Sequence, residues 1–221
     1  MSKRRALKAL AAKRKKTRLP GYKCIGDYRN GAYDCEHVSP YTKSAGNVNS
    51  PIMVMLQDWT SQDKIRRGLD AETLKLGYYP NLRTNKKLVQ LLEEHFNTDL
   101  KRIFATNLFP YIKRGKINSA IPARDLVWAA SEFGIPQIKI VRPKLVICLG
   151  LATFNALREA QGEKPVFPTA AAIRLRPRFQ IGKAVIWCQA HTAPQGQATR
   201  NTGRKRVPGD WRRMAKWLRK G

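Results

Sequence analysis

Acidic residues are scarce in this 221-residue chain: 15 Asp and Glu stand against 43 Lys and Arg, a formal net charge of +28. Cysteine is scarce as well. Four in a chain of this length exclude a disulfide scaffold, so the expected setting is reducing, cytoplasmic and, given the charge, nucleoid-associated. Long apolar runs are missing. Nothing approaches the roughly 18–20 consecutive apolar residues that span a bilayer, which excludes an integral membrane helix. Met1 to Arg18 is basic and lacks the apolar middle of a secretory signal. There is no Walker-type phosphate loop and no Gly-rich dinucleotide fingerprint, which removes support for the common nucleotide-hydrolysing and nicotinamide-binding classes. Disorder is excluded by composition, since 43% of the residues are hydrophobic, enough for one buried core.

The positive charge is both terminal and distributed. Segment 1–18 holds nine basic residues and no acid; segment 200–221 holds nine more and one acid, Asp210. The stretch between them keeps 25 basic and 14 acidic residues, a net of +11. Such a field concentrates phosphate-bearing partners without reading their sequence. The expected organisation is a basic N-terminal arm over 1–20 and one domain over 21–221, with a basic loop and helix at 200–221. The expected partner is DNA, met by a monomer.

Four short apolar runs read as strands buried on both faces: Ile52 to Leu56, Ile103 to Asn107, Lys144 to Leu149 and Ala184 to Cys188. Between them lie helical patterns, with Leu88, Leu91, Leu92 and Phe96 in one and Leu126, Val127, Ala130 and Phe133 in another. Thr84-Asn85 is a candidate cap for the first. Trp211, Met214, Ala215 and Leu218 mark a last helix. Strands alternating with helices predict an α/β fold: a three-layer α/β/α sandwich around a mostly parallel four-stranded sheet.

Sites in such sheets lie beyond the carboxyl ends of the strands. Gln57-Asp58-Trp59 follows the first run, Asn107-Leu108-Phe109 the second, Gly150 the third and His191-Thr192-Ala193-Pro194 the fourth. An acid, an amide and an imidazole thus share one rim.

These four pieces, in this order, resemble the uracil-DNA glycosylase superfamily over roughly Pro51 to Asn201. Gln57-Asp58 is similar to the family's Gly-Gln-Asp-Pro turn and Thr106-Asn107 to its base-reading asparagine motif. Arg142 to Gly150 resembles its third-strand signature, and His191 to Pro194 its His-Pro-Ser-Pro motif. Leu56 and Trp59 stand where the family has Gly and Pro, and Thr192-Ala193 where it has Pro-Ser, differences that bear on substrate range. The resemblance implies hydrolysis of the N-glycosidic bond of uracil or a related deaminated base after base flipping, with no cofactor. An iron–sulfur cluster, found in one branch of the family, is not expected, because Cys148 and Cys188 fall inside strands.

Roles follow from the resemblance and from side-chain chemistry. Asn107 offers a donor and an acceptor side by side to a flipped base. His191 donates to the base as negative charge builds on it. Asp58 orients water and stabilises a cationic sugar. Gln57 lines the pocket through its backbone amide, and an aromatic face comes from Tyr78 or Tyr79, with Phe109 and Trp59 as competitors. Gln195, Gly196, Gln197, Thr199 and Arg200 suit a loop entering the minor groove, and Lys113, Arg114 and Lys116 a phosphate-facing cluster. No metal site is expected; Cys24, Cys35 and His37 offer three ligands and lack a fourth. The alternative is a catalytically silent member of the fold acting as a basic DNA- or RNA-binding module.

Overall fold

A computed structural model describes residues 1–220. Five strands form one mixed sheet in the order β2-β1-β3-β5-β4. They are β1 Ile52–Asp58, β2 Phe104–Phe109, β3 Leu145–Leu149, β4 Gln180–Ile181 and β5 Ala184–Gln189. The pairs β1–β2, β1–β3 and β3–β5 are parallel; β4 lies antiparallel on β5. The four expected strands are present. The fifth, β4, has two residues, too few to carry a pattern, and joins β5 through a two-residue turn at Gly182-Lys183, where Gly182 takes φ +59°.

Both faces of the sheet are apolar because parallel strands have no solvent side. On one face, Met53, Met55, Val146, Cys148, Ile186 and Cys188 meet Leu126, Phe133, Ile138, Phe154 and Leu157. These partners come from α5 (Ala123–Ala129), a π turn (Ala130–Gly134), α6 (Ile135–Val141) and α7 (Leu151–Glu159). Pro136 has no N–H to donate, and the widened turn ends two residues before it. On the other face, Val54, Leu56, Ile147, Leu149 and Trp187 meet Leu88, Leu91, Leu92, Trp211 and Met214. Those belong to α4 (Arg83–Phe96) and α10 (Arg206–Lys220). Full burial of a leucine is worth about 1.5–3 kcal/mol relative to exposure, so the three leucines of α4 fix that helix on the sheet.

Several local expectations change. Helix α4 starts at Arg83, and neither Thr84 nor Asn85 caps it; Asn85 is buried inside the helix. The polar segment between β1 and α4 carries α2 (Gln62–Arg66) and α3 (Ala71–Leu76). The stretch between α7 and β4 holds α8 (Thr169–Arg174). The stretch after His191 is α9 (Pro194–Asn201), a helix with Pro at its first position instead of a loop.

The N-terminal arm is docked on the domain. Helix α1 (Lys3–Lys16) buries Leu10, Ala11 and Arg14. Arg14 is fully covered, and its Nη2 donates to Asp34 Oδ1 at 2.8 Å and to the carbonyls of Cys35 and His37 at 2.9 and 3.1 Å. Lys3 Nζ reaches the carbonyls of Val48 and Val141 at 3.0 and 2.7 Å. Among the described residues no helix is long and apolar enough to cross a membrane.

Candidate active site

The chain leaves β1 to form β2 on one side and leaves β3 to form β5 on the other. The carboxyl ends of β1 and β3 therefore flank the topological switch point, where α/β sheets hold their ligands. A cavity of about 350 Å³ opens beside this rim, lined by Asp58, Asn107, Lys113 and His191 among aromatic and apolar side chains. Its size lies within the range of about 300–1,000 Å³ usual for small-molecule sites.

Asp58 closes β1, opposite Phe109 of β2. Its Oδ2 sits 3.1 Å from Lys113 Nζ, and its Oδ1 accepts from Gln57 Nε2 at 3.2 Å. Both members of the ion pair are nearly buried, with 7% and 10% of the Lys113 and Asp58 side chains exposed. Burial pushes the Asp58 carboxyl above its usual range; Lys113 and, less strongly, His191 pull it back. Lys113 is aimed by its backbone: its carbonyl accepts the Gln62 N–H at 2.9 Å, and it bridges Ser61 in parallel.

His191 lies two residues beyond β5. Its Nδ1 accepts the Ala193 N–H at 3.1 Å, which selects the neutral tautomer carrying its proton on Nε2. Burial lowers its pKa, opposed by Asp58 and reinforced by Lys113. The imidazole is thus held neutral, as a hydrogen-bond donor that bears no charge. Gln197 Nε2 donates to the His191 carbonyl at 2.9 Å, tying α9 to the same point.

Asn107 lies within β2, opposite Leu56, and is 1% exposed. Its Oδ1 accepts the Ser39 hydroxyl at 2.6 Å, while its Nδ2 is buried without a partner. A buried amide donor left open beside a cavity costs about 1–3 kcal/mol. A ligand carbonyl would recover that cost, and the second lone pair of Oδ1 remains for a ligand N–H.

Aromatic rings complete the wall. Tyr78 stacks on Tyr41 with centroids 5.0 Å apart and planes 24° from parallel; Tyr79 faces Trp59 at 6.3 Å and 30°. Asn85 binds the two pairs together: its Oδ1 accepts the Tyr41 hydroxyl at 3.2 Å, and its Nδ2 donates to the Tyr79 carbonyl at 2.7 Å. Burial raises the Tyr41 pKa, so its phenol stays neutral.

The cavity gathers Asp58, Asn107, His191, Tyr78, Tyr79 and Trp59. Others expected at the site stand elsewhere. Phe109 points into the opposite core, edge-on to Tyr22 and Tyr111. Gln57 touches the site only through its bond to Asp58. Lys113 is no phosphate contact, because it is buried against the carboxylate. Arg114 is exposed, with its Nε donating to the Gly21 carbonyl and its guanidinium 5.1 Å from the Tyr22 ring; Lys116 is exposed. Gln195, Gly196, Gln197 and Thr199 belong to α9, and Arg200 is buried in a two-pronged pair with Asp210 at 2.6 and 3.0 Å. Cys24, Cys35 and His37 form no metal-ligand set, and no such group occurs among the described residues.

Sequence inspection missed Ser39, Tyr41, Asn85 and the Lys113–Asp58 pair. It also missed Leu82 and Ile117, large apolar side chains at the cavity that are 37% and 47% exposed. Compared with known proteins, the chain is matched by no family model and by no curated protein.

Proposed function

We propose that the protein is a DNA glycosylase that flips uracil or a related deaminated base into this cavity and hydrolyses its N-glycosidic bond. One observation carries the proposal: a carboxylate, a neutral imidazole donor and an unsatisfied buried amide line a single aromatic-walled cavity at the switch point of the sheet. The three-layer sandwich expected from the sequence belongs to the same proposal, and the apolar packing on both sheet faces supports it.

Each group has a separate task. The Asn107 amide donates to a base carbonyl, and its oxygen accepts the adjacent ring N–H. His191 Nε2–H stabilises the base as it leaves with the bonding electrons. The Asp58 carboxylate holds the attacking water and balances the developing charge on the sugar at C1′. The Tyr41–Tyr78 stack and Tyr79 supply flat faces, each stacked base–aromatic contact being worth about 1–3 kcal/mol. Exposed Ile117 and Leu82 are apolar side chains of the kind that wedge into a base stack. The protein acts as a monomer on DNA and needs no cofactor.

Incubation of the purified protein with duplexes containing uracil, hypoxanthine, xanthine or mismatched thymine, followed by alkali, should yield strand breaks at the lesion for at least one of them. Intact strands throughout would refute the proposal.

A silent nucleic-acid-binding module is the second reading, and the Lys113–Asp58 ion pair favours it, since an ammonium already neutralises the candidate catalytic carboxylate. Under that reading Asp58→Asn leaves every measurable property of DNA binding in place and there is no base release to lose.

A further inference from the structure

Lys113 is a buried amine that the hydrolytic mechanism leaves without a chemical step. It lines the same cavity as Asp58, Asn107 and His191, and its ammonium is 5% exposed as a residue and held 3.1 Å from Asp58 Oδ2. A lysine serving only solubility or phosphate contact stands in water. This one has been drawn inside, and its backbone is pinned to the segment following β1 so that the side chain faces the carboxylate. Loss of a base leaves an abasic sugar whose C1′ opens to an aldehyde. A lysine amine is the side chain that condenses with such a carbonyl.

We propose that Lys113 attacks C1′ of the abasic product and gives the protein a second activity, strand cleavage at abasic sites. This activity rests on the glycosylase reading for its location, because the group that holds water at C1′ also holds the amine.

Asp58 takes one proton from the Lys113 ammonium, leaving a neutral amine and a carboxylic acid. The nitrogen lone pair forms the N–C1′ bond as the C1′ carbonyl π pair moves to oxygen, and a nitrogen proton passes to that oxygen. The resulting hydroxyl takes the Asp58 proton and leaves as water, and an iminium remains beside a restored carboxylate. Asp58 then removes a proton from C2′. That electron pair forms the C2′–C3′ double bond, and the C3′–O bond breaks, releasing the downstream strand with a 5′ phosphate, which takes the proton from Asp58. Water adds to the imine carbon and frees Lys113. No oxidant, reductant or metal is consumed.

The test uses the full chain with two duplexes, one bearing a ready-made abasic site and one bearing uracil, in the presence of sodium borohydride, which reduces an imine to a stable amine. The expected result is a covalent protein–DNA adduct on the abasic duplex, with peptide mass mapping locating it at Lys113. Lys113→Arg and Lys113→Gln should lose the adduct and the strand cleavage. Mapping the wild-type adduct requires no variant to fold. No adduct on abasic DNA, or an adduct mapped to another amine, overturns the proposal. An adduct at Lys113 on the abasic duplex but none on the uracil duplex upholds the second activity and removes uracil as the base released.

Discussion

At the residue scale, the behaviour of the site depends on how burial and a neighbouring charge divide control of Asp58. Desolvation raises its pKa, and Lys113 lowers it again. Base release that needs the carboxylate must then fail on the acid side at a pH above the ordinary aspartate value of 3.8. Replacing Lys113 by Gln removes the opposing charge, so the acid limb of kcat/KM should move to higher pH, a shift that a pH–rate profile reads directly. His191 adds a separate sign. Its folded pKa lies below the ordinary histidine value of 6.5, so the folded state binds fewer protons than the unfolded one. Stability should therefore fall as pH drops below about 6.5, a loss that thermal melts across pH would record. The individual side chains were only partly visible in the sequence. Asp58, Asn107 and His191 were legible because each ends or follows a continuous apolar run. Lys113 looked like one member of a basic surface cluster, because the contact that brings it to the cavity is made across the carboxyl ends of β1 and β2. Ser39 and Tyr41 were illegible because their segment has no periodicity to place them.

At the element scale, helix α9 illustrates how composition misleads. Gly, Gln and Thr read as a loop, while the Ala193-Pro194 start was a helix signal available in the sequence. The consequence is functional. Arg200 does not face solvent; it clamps α9 to α10 through Asp210, which is 1% exposed and also paired with Arg213. Arg200→Ala should cost about 3 kcal/mol by breaking a buried pair. It should leave the salt dependence of DNA binding unaltered, whereas loss of a phosphate contact would lower the slope by about 0.9. Helix α1 yields a second prediction. Because Arg14 is fully covered and satisfies three acceptors on the segment 34–37, Arg14→Ala should lower Tm by about 4–8 °C, equivalent to about 2 kcal/mol. A free arm would show no change. The longer strands were legible because burial on both faces favours apolar runs, although β2 continues through the buried Thr106 and Asn107 to Phe109. The exception is β4, whose two residues carry no pattern.

At the scale of the whole molecule, the charge of +28 is partly internal. Arg14, Lys113 and Arg200 are buried and paired with Asp34, Asp58 and Asp210. Arg158 is likewise buried and paired with Glu163, so four of the 43 basic residues are spent inside the fold. A count along the chain does not separate the two groups, because a buried arginine and a solvated one are the same letter. The decisive experiment on the proposed chemistry is free base released from a uracil-containing duplex in a single turnover, by the wild type and by Asp58→Asn, with DNA binding measured in parallel. The wild type should release one base per lesion, and Asp58→Asn should be slower by about 10²–10⁴-fold while binding DNA within a few-fold of the wild type. Equal release rates for the two proteins, or no release by the wild type from any deaminated base, would contradict the account.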